Sequence, residues 1–132
     1  MSLDSSQLGA FDVTWAVRAE EPPGRTSPME LIAAAHSACV CQALAYVLTK
    51  SGHPAKNLTT MAEVNFEPRE GITEICLEVR GIVPGLSPEE FVVLAERVKE
   101  TCPISKALAG TRITLDASLS GTPTTGPLPP GP

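Results

Sequence analysis

Ser27-Pro-Met-Glu-Leu-Ile-Ala-Ala-Ala-His-Ser-Ala-Cys-Val-Cys-Gln-Ala-Leu-Ala-Tyr-Val-Leu-Thr-Lys50 is the stretch on which the fold turns. Ser27 suits an N-cap, Pro28 the first helical position, and Glu30, three residues after the cap, gives the sequence form of a capping box. Nothing interrupts the helix before Ser51-Gly-His-Pro54, which stops it near Lys50. Apolar residues stand at nearly every angle of this helix, so it must be covered on most sides, by a sheet on one and by something else on the other. A chain of 132 residues can hardly supply both, and the surplus predicts a tightly joined dimer. The 18 residues from Leu31 to Leu48 reach the lower limit of a membrane span, but His36, Ser37, Gln42 and the many alanines fit a helix buried within protein. No membrane partner is expected.

On the N-terminal side, Phe11, Val13, Trp15 and Val17 alternate with polar neighbours, which predicts a half-buried strand over Phe11 to Arg18. Ala19 to Thr26, with two prolines and a glycine, is a loop. On the C-terminal side, Thr60 to Glu67 and Ile72 to Gly81 alternate around the turn Glu67-Pro-Arg-Glu-Gly71 and form a hairpin. Ala62, Val64 and Phe66 face inward on the first strand, and Ile75, Leu77 and Val79 on the second. Ser87-Pro-Glu-Glu90 is another capping box, and Phe91, Leu94, Ala95 and Val98 give the following helix one apolar face. Cys102-Pro103 ends that helix near Thr101 and opens a short new turn. A last strand, Thr111 to Leu119, turns Ile113, Leu115, Ala117 and Leu119 inward. The order strand, buried helix, hairpin, amphipathic helix, strand is an α+β layout in one domain, residues 1–119. A proline-rich tail, residues 120–132, has nothing to bury.

The net charge of −5 and the scattered basic residues leave no positive stripe, which argues against a nucleic-acid partner. The four cysteines, at 39, 41, 76 and 102, form no Cys-x-x-Cys pair and no disulfide framework. That pattern speaks against a stapled secreted module or a zinc ribbon, and for reduced thiols in a cytosol. The first residues lack the basic-then-apolar order of an export signal, which fits a cytoplasmic protein.

Cys39 and Cys41 lie about 200° apart around one helix, so they cannot pair with each other, and at most one of them shares a site with Cys102. An ordinary thiol is only about 3% thiolate at pH 7, so a peroxide-reducing cysteine must have its pKa lowered. Cys102, at a helix start before Pro103, has local grounds for activation by backbone N–H groups. Cys39 stands too far from the start of its own helix for that and needs a cation; Arg18 and Arg25, flanking the entry loop, are the candidates. Read from its surroundings alone, Cys39 is equally well one more small core residue. Cys41 and Cys76 read as structural. His36 reads first as a hydrogen-bonded core residue and second as a general base. Glu30 is accounted for by the capping box and stands where it can also hold an arginine.

Ser27-Pro-Met-Glu-Leu-Ile-Ala-Ala-Ala-His-Ser-Ala-Cys39, followed by Cys102-Pro-Ile-Ser-Lys-Ala-Leu108, resembles the OsmC/Ohr family of bacterial thiol peroxidases, the OsmC branch more closely, over about residues 11 to 119. The resemblance implies an intertwined homodimer with two helices per chain at its centre and antiparallel sheets outside, its active sites at the interface. It implies that Cys39 attacks an organic hydroperoxide, or hydrogen peroxide less efficiently, and that Cys102 resolves the sulfenate as a disulfide. Arg18 matches the family arginine that lowers the thiolate pKa. Reduction is implied to come from a dithiol donor such as a lipoylated protein, with no metal or organic cofactor. Where the family places a glutamate directly after the helix-start proline, this chain has Met29, with Glu30 next, about 100° further around. The second reading, which rests on that difference, is a catalytically weak, stress-linked binding or structural dimer of the same fold.

Overall fold

The computed structural model describes residues 1–13 and 24–120. Trp15, Val17 and Arg18 of the expected first strand, and the tail from residue 121 onward, lie outside the described residues. Of that strand, Phe11 to Val13 are described, and they contribute one isolated bridge, Val13 to Thr26. Phe11 and Val13 are exposed, because within the single chain no sheet lies against them.

The long helix α1 runs Pro28–Lys50, as its caps predict. Ser27 accepts the Glu30 N–H, and Gly52 follows the C-cap with φ near 87°. The expected capping box is only half formed. The Glu30 carboxylate accepts from the Thr26 hydroxyl and does not return to the cap backbone, since a donor one residue outside the cap competes for it.

Strands β1 (Asn57–Glu67) and β2 (Gly71–Ile82) form the antiparallel hairpin. Helix α2 (Pro88–Thr101) starts with a complete capping box, and the short helix α3 (Pro103–Ala107) follows across Cys102. Strand β3 (Arg112–Leu119) pairs with β2 in parallel, giving the order β1-β2-β3. This corrects the expectation of a purely antiparallel sheet. A parallel neighbour can be reached only by a crossover of about a dozen residues or more, and the two helices between β2 and β3 provide one.

One face of the sheet is covered. Ile75, Leu77 and Val79 of β2 and Val64 of β1 meet Val40, Leu44 and Leu48 of α1 and Phe91, Ala95 and Val98 of α2. Each such side chain stabilises the fold by about 1.5–3 kcal/mol on burial. Phe66, expected inward, is only half-buried, beside the irregularity in the ladder between Asn65 and Phe66. The other face is polar, with Arg80 bonded to Glu78 and Asp116, and Arg112 to Glu74. Cys76 belongs to that face by alternation with the buried Ile75 and Leu77.

Helix α1 has the length and hydropathy of a membrane span, yet its stripe His36, Val40, Leu44 and Leu48 is fully enclosed by the sheet and the other helices. Its opposite stripe, Ala34, Ala38, Gln42 and Tyr46, is exposed on the single chain.

Gly81 is where α2 comes closest to the sheet: a Cβ there would lie 2.9 Å from Leu58 Cδ2 and 3.0 Å from Phe91 Cζ. Gly81→Ala should therefore destabilise the fold by about 1–3 kcal/mol through overpacking. Urea unfolding should show a lowered midpoint at an unchanged slope.

A two-cysteine candidate active site

The site is assembled by a stop signal. Pro103 cannot continue α2, since it lacks an N–H, but it fits the first position of α3. The turn between the two helices sets Cys102 beneath the middle of α1. There the Cys102 and Cys39 sulfurs lie 2.9 Å apart, with the Cys102 thiol donating to Cys39. Two residues 63 positions apart in sequence thus form one pair.

Their surroundings differ. Cys102 is 1% exposed, whereas Cys39 is partly open on the single chain. Burial pushes the Cys102 thiol up, but it is outweighed by the hydrogen bond to Cys39, the Ser105 and Ile104 N–H groups and the Ser105 hydroxyl, which together hold Cys102 below the usual thiol range. The sulfur makes no full side-chain cap bond, so those N–H groups act on it as oriented dipoles at slightly longer range. For Cys39, burial and the bond to Cys102 push the thiol up, and the Ile104 N–H works against them. The described residues therefore favour one thiolate for the pair, weighted toward Cys102. This matches the local reading of Cys102 as the activated thiol.

His36 is fully buried, and its Nε2 lies 2.7 Å from Ser105 Oγ. It is the hydrogen-bonded core histidine that the sequence suggests, and its partner is on α3. Burial lowers its pKa, so the ring is neutral at pH 7. Ser105 went unnoticed in the sequence, although its position three residues after a cap-like cysteine is where an N–H turns toward the capping side chain. Cys41 is on another side of α1, and Cys76 is on the far face of the sheet; neither joins the pair.

Glu30 is exposed on the first turn of α1, bonded to Thr26. Arg18 lies outside the described residues, so the structure does not bring it together with the pair. Met29 packs half-buried against the core. Among the described residues no group of histidine, cysteine and acidic side chains is arranged to hold a metal ion.

The profile of a protein family described as OsmC-like protein matches residues 21–117. The chain is 34% identical over 122 residues to the peroxiredoxin OsmC of Escherichia coli (strain K12), a match covering 90% of this chain and 84% of that protein. Among solved structures it is similar to an organic hydroperoxide resistance protein from Elizabethkingia anophelis, at 26% identity and a TM-score of 0.68, covering 89% of this chain and 84% of that one. It is also similar to an OsmC-like protein from Mycoplasma pneumoniae, at 15% identity and a TM-score of 0.70, over 83% and 81% of the two chains, a likeness of fold alone.

A disulfide requires the two sulfurs to close from 2.9 Å to about 2.05 Å, a movement well within side-chain rotation. One equivalent of a thiol oxidant should link Cys39 to Cys102 and leave Cys41 and Cys76 free to alkylation, as read by peptide mapping without reductant. In the reduced protein Cys39 should alkylate before the enclosed Cys102.

Proposed function

The chain belongs to the OsmC-like protein family, and from that membership we propose that it is a cysteine-based peroxidase that reduces organic hydroperoxides through Cys39 and Cys102. The observation that carries the reading is the pair itself: two reduced sulfurs 2.9 Å apart, one reachable and one enclosed. Only the reachable sulfur can meet a substrate, and only a neighbouring sulfur can reach the enclosed one. That asymmetry supports attack by Cys39 and resolution by Cys102.

In the first step the Cys39 thiolate attacks the terminal oxygen of the hydroperoxide. The O–O bond breaks, an alkoxide leaves, and Cys39 becomes a sulfenic acid. The proton of the Cys102 thiol goes to the alkoxide, which departs as an alcohol and leaves Cys102 as a thiolate. In the second step Cys102 closes the disulfide. A dithiol donor, of the kind a lipoylated protein carries, returns both thiols by exchange. The chemistry needs no metal or organic cofactor, and it suits a reducing cytosol.

Because burial and Cys102 both hold the Cys39 thiol up, the first step requires a cation near Cys39. Arg18 is the residue proposed for this, with Glu30 to hold it; a guanidinium keeps its charge when partly buried and offers several donors to a peroxide. The site is proposed to lie at the interface of a dimer. The exposed stripe Ala34, Ala38, Gln42 and Tyr46 is the surface of α1 that a second copy would cover. The alternative of a weakly active binding dimer is favoured by Met29, whose side chain is committed to the core and supplies no carboxylate.

Turnover separates the two readings. Cumene hydroperoxide should be consumed with a dithiol donor, Cys39→Ser should abolish consumption, and Arg18→Ala should lower kcat/KM by about tenfold or more while raising the Cys39 thiolate pKa. Full turnover by Cys39→Ser would overturn the assignment, and no turnover by the unaltered protein would favour the binding dimer.

Sedimentation equilibrium tests the assembly. The unaltered protein should weigh twice the 13.8 kDa of one chain, and Ala38→Glu, which sets a charge on the uncovered stripe, should shift it toward that single-chain mass.

A further inference from the structure

His36 takes no part in the chemistry described above, yet it is wholly buried and joined to the residue that faces the resolving sulfur. A neutral imidazole has one N–H and one bare nitrogen. Nδ1 has no hydrogen-bond partner. A buried N–H without an acceptor is costlier and rarer than an under-used acceptor, so the proton belongs on Nε2 and is donated to Ser105 Oγ across 2.7 Å. With its acceptor side occupied by that donor, the Ser105 hydroxyl has its own proton left to direct; Ser105 stands on α3 three residues after Cys102, both are buried, and the hydroxyl favours the Cys102 thiolate. The chain of donors runs one way, from His36 Nε2–H to Ser105 O–H to Cys102, and ends on a sulfur that receives a proton's positive charge without receiving the proton.

We propose that His36, through Ser105, is a positioning residue for the second half of the reaction: it holds Cys102 as the thiolate that closes the disulfide on oxidised Cys39. The inference rests on the two-cysteine peroxidase reading above. In the step concerned, Cys102 attacks the sulfur of the Cys39 sulfenic acid. The S–S bond forms as the S–O bond breaks, Cys102 is oxidised as the sulfenic sulfur is reduced, and the departing hydroxide takes a proton from solvent. Without the donors, the Cys102 left after peroxide cleavage takes up a proton and loses its nucleophilicity. The same donors draw negative charge away from Cys39 before the peroxide arrives. They therefore serve resolution and not attack, and removing them acts oppositely on the two steps.

A single-turnover experiment with cumene hydroperoxide reads the steps apart: loss of hydroperoxide follows attack, and quenched samples report Cys39 trapped by dimedone against Cys39 joined to Cys102. Ser105→Ala and His36→Leu are expected to slow disulfide closure about tenfold, the worth of a donor to a charged sulfur, with trapped Cys39 accumulating. Peroxide cleavage is expected to be no slower. His36→Gln, which can place an amide N–H near the former Nε2, should recover closure. A merely structural role would slow both steps together and give glutamine no advantage over leucine, and either result overturns the proposal. Ser105→Ala, which removes a single oxygen, keeps the test open where a His36 variant fails to fold; unchanged closure in Ser105→Ala also overturns it. If the unaltered protein consumes no hydroperoxide and forms neither trapped Cys39 nor the Cys39–Cys102 disulfide, it is the peroxidase reading that fails, which this outcome distinguishes from the loss of the positioning role.

Discussion

The constraint behind the site is that α1 buries a polar residue in an apolar stripe. His36, Val40, Leu44 and Leu48 recur at every fourth position and are all enclosed, but only the histidine demands a partner. Leaving such a group without any hydrogen bond costs about 1–3 kcal/mol, a large share of the stability of a small domain. The partner is Ser105, and it exists at that point in space only because α3 turns back against α1. Satisfying His36 therefore fixes α3, and fixing α3 fixes Cys102, the residue at its start. Cys39, three residues along α1 from His36, is then brought within 2.9 Å of Cys102 as a consequence of packing.

The mixed sheet supports the same geometry from below. Parallel pairing of β2 with β3 requires a crossover, and α2 and α3 are that crossover. Phe91, Ala95 and Val98 hold α2 down on the sheet, and Gly81 leaves room for Phe91 to approach. With α2 held along one face and β3 waiting on the sheet edge, the turn at Cys102-Pro103 has little freedom in where it goes. Cys102 is placed by a crossover between strands, on a backbone that proline and two caps define, and this is a firmer base than a free loop.

Most of this was legible because the signals are local. The Ser27-Pro28 and Ser87-Pro88 starts, the Gly52 stop and the period-two strands are written within a few residues, and the observed elements follow them closely. The parallel β3 was not, because strand direction is set by where a crossover ends, and no residue of Arg112–Leu119 states it. The half-formed box at Glu30 escaped for a related reason: the competing donor, Thr26, lies outside the motif that defines the box. In the site, the two cysteines could be singled out by motif, but their contact joins residues 63 apart, and Ser105 acquires its role only through His36 on another helix.

The unequal burial of the two sulfurs sets the terms of any mechanism that uses them. A thiolate at the enclosed Cys102 is stabilised by fixed dipoles that need not reorganise, namely the first N–H groups of α3 and the Ser105 hydroxyl. A thiolate at Cys39 has from the described chain only the Ile104 N–H, set against burial and a neighbouring sulfur. Moving the charge from the favoured sulfur to the reachable one is a proton transfer across 2.9 Å, and its cost must be offset by something outside α1 and α3. The cation proposed for the first step would meet that need on electrostatic grounds by acting on the reachable sulfur and not the enclosed one. Under the proposed function, the internal donors would prepare Cys102 for the step that follows oxidation, and the external cation would draw the charge to Cys39 for the step that begins it.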